Sequence, residues 1–400
     1  MPQSIWSVAA STCAPACRRI LVVFVVAGCI FAGPVCGQQI GKSVPIPAGS
    51  EADHAIAAIT AASGPAEKLA AIDKFASGAG KEGDMAILAD GFYVDYYLSQ
   101  KNYDKVFDYG DKLFAVDPDN FANALNMIRA ASETHNAERV LSYGEKSADI
   151  LQRFKAAPPP AGTSPEDWEG QKRNTLEANK DGIVYVLQVV MSGSYPQKDA
   201  SRYAAVLTKL ADVIPDPAYA AQALGVAATA YQQAQNTPKM LEVANSLLAK
   251  DPNNLGMLLL LSDYYSEKGE QLDKADAYAR KVLSNLETAQ KPAGLADEQW
   301  ATEKTLQKGL ALSTLGQVSM QKKQNAQAIV NLRAAAPLLK SNDTSYARNQ
   351  YRLGFALLNL KKTAEAKEAF VQAASVNSVY RALAQEKVKE IEDAARRKGS

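Results

Sequence analysis

The chain alternates amphipathic stretches with short polar turns over most of its length. Within a stretch, apolar residues recur at spacings of three and four, which places them on one face of an α-helix. Proline and polar residues separate the stretches, because proline lacks the amide N–H that a helix interior requires. The pattern predicts helices over 50–62, 65–76, 85–100, 103–116, 120–134, 137–154, 165–191, 199–213, 218–235, 238–250, 255–268, 273–288, 297–321, 326–340, 346–360, 364–376 and 380–397.

A period of 34 residues links some of these helices. The stretches KVFDYGDKL (105–113) and RVLSYGEKS (139–147) place identical residues 34 positions apart, namely Val106 and Val140, Tyr109 and Tyr143, Gly110 and Gly144, and Lys112 and Lys146. Self-similarity at a fixed period of this length is typical of stacked supersecondary units. Each unit is predicted to be a pair of antiparallel helices.

The last unit carries a recognisable motif. In YRLGFALLNLKKTAEAKEAFVQAASVNS, Leu353-Gly354 lies on the first helix, and Ala366, Phe370 and Ala373 lie on the second. With the 34-residue period, this pattern resembles that of tetratricopeptide-repeat (TPR) proteins, of an exported bacterial type. The first-helix tryptophan of that family is missing, and Ser378 stands where proline is expected. The resemblance implies an all-α fold, a right-handed solenoid of antiparallel helix pairs.

A longer period suggests an internal tandem duplication. KVFDYGDKLFAVDPDN (105–120) resembles KMLEVANSLLAKDPNN (239–254), 134 residues later, and APPPAGTSPEDW (157–168) resembles QKPAGLADEQW (290–300). We therefore predict two TPR-like blocks, 50–217 and 218–400, the second with a terminal repeat and a capping helix.

The N-terminus has the features of a targeting segment. Arg18 and Arg19 precede the apolar run ILVVFVVAGCIFA, which is shorter than the roughly 20 residues of a membrane-spanning helix. We predict a signal peptide over 1–37, a short linker over 38–49, and export to the periplasm or secretion, with no transmembrane span in the mature chain. Lipid attachment at Cys29 and an uncleaved anchor are the alternatives.

Composition excludes several kinds of chemistry in the mature chain. All four cysteines precede residue 38, so no thiolate or disulfide remains after cleavage. The net charge of +1 becomes −1, which argues against a nucleic acid partner. His54 and His135 have no partner at metal-ligand spacing, and no nucleophile or phosphate-binding motif is complete. We predict no catalytic residue, no metal site and no cofactor.

The TPR resemblance implies a non-enzymatic protein–protein interaction scaffold. In that family, the concave wall of first helices binds a peptide or protein partner. Positions one helical turn apart on the predicted first helices are Asp95 and Ser99, Arg129 and Glu133, Asp263 and Glu267, and Phe355 and Asn359. Gly91 and Asp95 stand where chaperone-binding relatives carry a lysine and an asparagine, so that activity is not predicted.

Two alternatives remain at this stage, an enzyme-associated or envelope-polymer (polysaccharide) binding module and an enzyme built from carboxylates across helices. Aromatic residues exposed along the wall would favour the first, and close, buried acid pairs in a pocket the second. The sequence gives no prediction of oligomeric state or of partner identity.

Overall fold

The structure, a computed structural model, describes residues 39–291 and 294–399. The predicted signal peptide lies outside these residues. The described chain contains α-helices joined by turns and has no strand. It divides into two units, residues 39–234 and 235–399.

The first unit contains ten α-helices within its described residues. They are α1 Glu51–Ala61, α2 Pro65–Ser77, α3 Met85–Ser99, α4 Tyr103–Val116, α5 Phe121–Glu133, α6 Ala137–Ala156, α7 Pro165–Ala178, α8 Lys180–Ser192, α9 Ala200–Val213 and α10 Pro217–Gln233. Consecutive helices pack as pairs, α1 with α2, α3 with α4, α5 with α6 and α9 with α10. Helices α3, α5 and α8 also pack side by side in one layer, and α6 packs beside α9.

The second unit repeats this arrangement. Its described helices are α11 Thr237–Lys250, α12 Leu255–Lys268, α13 Leu272–Thr288, α14 Asp297–Gln321, α15 Asn325–Ala335, α16 Asp343–Asn359, α17 Thr363–Ser375 and α18 Arg381–Gly399. The pairs are α12 with α13, α14 with α15 and α16 with α17, and α18 packs on α17. Helices α12, α14 and α16 adjoin in one layer. The predicted fold class, an all-α TPR-like array of helix pairs, is confirmed.

Asparagine begins many of these helices. Its side-chain oxygen accepts a hydrogen bond from the main-chain N–H three residues later, which satisfies one of the free donors of the first turn. The O···N distances are between 2.9 and 3.3 Å. The residues are Asn102, Asn120, Asn136, Asn236, Asn254 and Asn342.

The residue one or two positions before a helix adopts a left-handed conformation in several turns. The non-glycine residues of this kind have φ between 45° and 60°, a region that costs L-residues about 1–2 kcal/mol. In the described chain they are Lys101, His135, Gln235, Gln271, Lys323 and Lys361. His135 is thus a turn residue.

The repeated glycines are packing positions. A Cβ on Gly110 of α4 would lie 2.1 Å from Sδ of Met127 in α5, and a Cβ on Gly144 would lie 2.4 Å from Val190. In the last pair, a Cβ on Gly354 would lie 2.6 Å from the ring of Phe370. Gly110 and Gly144, which lie 34 residues apart, are therefore positions at which helices pack too closely for a larger side chain.

The core of the last pair contains the residues of the motif. Ala366, Phe370 and Ala373 are fully buried in α17, and Leu353 packs in the same cluster. Ala384 of α18 joins this cluster, so α18 covers the last pair. The motif residues are therefore in the core, as their helical spacing predicts.

Two predicted helices end earlier than expected. The helix predicted over 165–191 breaks at Asn179, whose side-chain amide donates to the Thr175 carbonyl at 2.8 Å and competes with the helical hydrogen bonds. The helix predicted over 326–340 ends at Ala335, because Pro337 allows only a short 3-10 turn over Ala336–Leu339.

Candidate partner-binding surface

Helix α5 separates an apolar face from a polar one. Phe121, Ala124 and Met127 are buried, whereas Arg129 and Glu133 are exposed. Because residues three and four apart share a helix face, this pattern turns the polar side chains toward the same side. The helices beside α5 in the layer are α3 and α8.

Side chains from these three helices meet on this face. Asn126 Nδ2 donates to Asp95 Oδ1 at 3.0 Å, which connects α5 to α3. The guanidinium carbon of Arg129 lies 5.9 Å from the ring centroid of Tyr185, which connects α5 to α8. We call Asp95, Asn126, Arg129, Glu133 and Tyr185 the polar surface.

The polar surface is crowded by neighbouring helices although several of its side chains are exposed. Desolvation raises the pKa of Asp95, and the hydrogen bond from Asn126 and the charge of Arg129 oppose this effect. Desolvation also raises the pKa of Tyr185, and the charge of the nearby Arg129 opposes this effect. The surface thus offers a carboxylate, an amide, a guanidinium and a phenol, a set that can accept from and donate to a peptide main chain.

The remaining predicted residues of the first unit lie at the end of this face. Glu133 is exposed beside Tyr103, and desolvation together with the Glu133 charge raises the pKa of the Tyr103 phenol. Ser99 is exposed, but its hydroxyl donates back to the Tyr96 carbonyl at 2.6 Å.

The predicted acids of the second unit lie in an ion cluster. Asp263 of α12 is 7% exposed, and its carboxylate receives two contacts from the Arg348 guanidinium, at 2.9 and 3.0 Å. Glu267 pairs with Arg352 and lies 3.6 Å from Arg348. Arg352 Nη1 also donates to Ser313 of α14, at 3.1 Å to Oγ. We call Asp263, Glu267, Arg348 and Arg352 the ion cluster.

The ion cluster holds its charges by mutual pairing. Burial alone would raise the pKa of Asp263, but the charges of Arg348 and Arg352 outweigh it and hold that pKa below its ordinary value of 3.8. Both arginine side chains are 6% exposed. A nearly buried charge needs a partner of opposite sign, which the two acids supply.

The last two predicted residues differ in exposure. Phe355 is half-buried and packs edge-on against Phe370, with ring centroids 5.4 Å apart, so it contributes to the core of the last pair. Asn359 is exposed, and its amide donates to Asn325 Oδ1 at 3.0 Å.

Sequence reasoning missed Tyr185, Arg348 and Arg352. The two arginines carry a usable signal, because Arg348 and Arg352 have the same four-residue spacing as Asp263 and Glu267, 85 positions earlier. When two adjacent helices carry opposite charges at the same spacing, the acids of one helix can form ion pairs with the arginines of the other. Tyr185 gave no such signal, since its helix begins only after the break at Asn179.

The described residues contain neither a candidate metal site nor a candidate membrane span. No group of three or more His, Cys, Asp or Glu side chains in residues 39–291 and 294–399 is placed to hold a metal ion. Within the same residues, no helix combines the length and the apolar character that crossing a membrane requires.

The described chain has the fold class of an all-α array of antiparallel helix pairs, which is TPR-like. No family model matches the chain, and no curated protein matches it.

Several solved structures are similar to the chain. The APC/C hetero-tetramer Cut9-Hcn1 matches with 14% identity and a TM-score of 0.37, covering 81% of this chain and 59% of that chain. NprR in complex with its cognate peptide NprX matches with 13% identity and a TM-score of 0.31, covering 88% and 84%. The TPR domain of P58(IPK) matches with 12% identity and a TM-score of 0.27, covering 86% and 99%. This chain therefore spans little more than half of the Cut9-Hcn1 chain that it matches.

Proposed function

We propose that this protein is an exported, non-enzymatic scaffold that binds an extended segment of a protein partner on the polar surface. The observation that carries the proposal is the meeting of Asp95, Asn126, Arg129 and Tyr185 from three helices of one layer, α3, α5 and α8. An extended peptide presents main-chain donors and acceptors along its length, and this set of side chains matches both.

Export is the second part of the proposal and rests on the sequence. Arg18, Arg19 and the following apolar run support a targeting segment, with the periplasm or the extracellular space as the destination. Attachment through Cys29 is the alternative form of the same export.

Affinity capture tests the binding role. The chain from residue 38 onward, immobilised, is exposed to an extract of the cell envelope, and bound proteins are quantified by mass spectrometry. Arg129→Ala removes a guanidinium of the polar surface, and we expect it to reduce partner recovery at least about tenfold, as for a lost charge-assisted contact.

Arg153→Ala is the matched control. Arg153 lies on α6, pairs with Asp119 and is 53% exposed, and it is not part of the polar surface. Recovery should stay unchanged in this variant. Equal recovery with Arg129→Ala would contradict the proposed surface. Absence of any enriched protein, with a polysaccharide raising the melting temperature instead, would favour the polymer-binding alternative.

A further inference from the structure

The segment that precedes α1 docks on a distant loop. Ile40 is 3% exposed, and its carbonyl accepts a hydrogen bond from the Phe121 N–H at 3.1 Å, at the start of α5. The Lys42 N–H donates to Asp117 Oδ2 at 2.9 Å. We call residues 39–42 the strap and residues 117–121 the first loop. The first loop thus binds an extended main chain through one helix N–H and one carboxylate.

Glycine is required in the strap. Gly41 has φ +122°, a conformation that favours glycine, and a Cβ there would lie 2.8 Å from Asp117 Oδ2 and 3.0 Å from Asn120 Cα. The first loop therefore binds a segment in which an apolar residue is followed by glycine and then by any residue that supplies a main-chain N–H.

The 134-residue period places an equivalent loop in the second unit, residues 251–255, which we call the second loop. Asp251 has φ −127° and ψ 87°, against −131° and 84° for Asp117. Asn254 donates to Asp251 Oδ2 at 3.3 Å, as Asn120 donates to Asp117 Oδ2 at 3.1 Å. The two loops, DPDNF and DPNNL, are similar in sequence, and their aspartates share one backbone conformation.

The two loops differ in exposure. Asp117 is 1% exposed and Phe121 is 1% exposed, whereas Asp251 is exposed and Leu255 is half-buried. In the part of the chain that the structure describes, no main-chain acceptor lies on the Leu255 N–H, and no other segment donates to Asp251. The second loop therefore presents the binding groups of the first loop to solvent.

We propose that the second loop binds an extended segment of a partner protein with the chemistry of the strap, an apolar residue followed by glycine. The partner's carbonyl accepts from the Leu255 N–H, its N–H beyond the glycine donates to Asp251, and its apolar side chain lies beside Leu248 and Leu255. A second copy of this chain is the less favoured partner. The strap of each copy already binds the first loop of its own chain, where its effective concentration is high. This site is separate from the polar surface and does not depend on it.

A peptide with the sequence of residues 39–45, QIGKSVP, is the probe. It is labelled and titrated with the full-length chain, and fluorescence anisotropy is measured. We expect saturable binding, accompanied by a shift of the Leu255 amide resonance. A peptide with alanine in place of the glycine should bind at least about tenfold more weakly, because its Cβ collides with the loop. Equal affinities of the two peptides, or no saturation, would overturn the proposal.

Variants of the chain locate the site. Asp251→Ala should weaken the QIGKSVP peptide at least about tenfold, since the carboxylate acceptor is lost. Asp273→Ala, an exposed acid of the same unit, should leave the affinity unchanged. If Asp251→Ala fails to fold, as judged by circular dichroism, the two peptides and the Leu255 resonance still decide. Retained affinity in a folded Asp251→Ala chain, or self-association of the chain that Asp251→Ala abolishes, would contradict the proposal.

Discussion

Asp263 shows how a single residue connects distant parts of its unit. It binds two arginines that lie 85 and 89 positions later in the chain, and all three side chains are buried. Transfer of these charges from water costs free energy that mutual pairing offsets, so removing one partner leaves an uncompensated charge. The ion cluster thereby fixes how α12, α14 and α16 pack within the second unit.

Asp263→Asn should lower the free energy of unfolding by about 3 kcal/mol at neutral pH, the usual cost of breaking a buried pair. The pKa of Asp263 is lower in the folded than in the unfolded state, so its stabilisation is present above about pH 4 and is lost as pH falls through the folded pKa. Urea unfolding at several pH values measures both effects.

The control for this prediction is Asp273→Asn. Asp273 pairs with Lys322, but its side chain is 98% exposed, so the change should have little effect on the free energy of unfolding. A decline of stability below pH 4 that is equally steep in wild type and Asp263→Asn would show that Asp263 does not cause it.

The matching spacing of Arg348 and Arg352 indicates candidate partners for Asp263 and Glu267, but it does not show that the helices adjoin or that Asp263 is buried. Helical spacing placed both acids on a first helix. The spacing alone is the same whether an acid on that helix is exposed or buried. The burial of Asp263 and the pairing of both acids depend on which later helix adjoins α12, and that is a property of packing between helix pairs far apart in the chain. Asp95 and Arg129 lie on helices that adjoin after a single repeat, so the 34-residue period was sufficient to relate their positions.

At the scale of helices, close approach explains the small residues of the motif. Gly354 of α16 faces the fully buried ring of Phe370 in α17, and the ring cannot bend away as a flexible side chain would. Tight packing of this kind makes even one added methyl group costly.

Gly354→Ala should destabilise the second unit by about 1–3 kcal/mol, the usual cost of overpacking, although alanine favours the helix. Thermal unfolding followed by circular dichroism measures it. Gly91→Ala in α3 is the control, because no atom lies within 4 Å of the added Cβ, and it should stabilise by up to about 1 kcal/mol. A neutral or stabilising Gly354→Ala would contradict the packing role.

Helix positions were largely predictable from period and capping. The predicted helices over 255–268 and 297–321 have the bounds of α12 and α14. The break at Asn179 was not predicted, because apolar residues continue on both sides of it and asparagine alone does not end a helix. The early end of α15 was predictable, since Pro337 lies in the sequence, but the apolar residues beyond it masked the signal.

At the scale of the whole molecule, most contacts join neighbouring helices of one unit. In repeat arrays of this kind, stability is close to a sum over units and their interfaces, so a fragment that keeps its interfaces is expected to fold. Helix α10 packs against α9 in the first unit, and α11 packs against α12 in the second. The chain between α10 and α11 is therefore the boundary at which the two units are separated for a test of independent folding.

Fragments 39–234 and 235–400 should each be helical and unfold cooperatively, as measured by circular dichroism. A division after residue 217, the boundary predicted from the tandem duplication, separates α9 from α10 and should give fragments with lower melting temperatures. Higher stability of the fragments divided after residue 217 would favour the sequence-based boundary instead.

The left-handed turn residues offer a route to a more heat-resistant form. Glycine at Lys101, His135 or Lys361 would remove a conformational penalty of about 1–2 kcal/mol, less the greater entropy that glycine adds to the unfolded chain. None of these residues belongs to the polar surface or to the second loop. Heat resistance could therefore be raised turn by turn while both proposed docking sites keep their side chains.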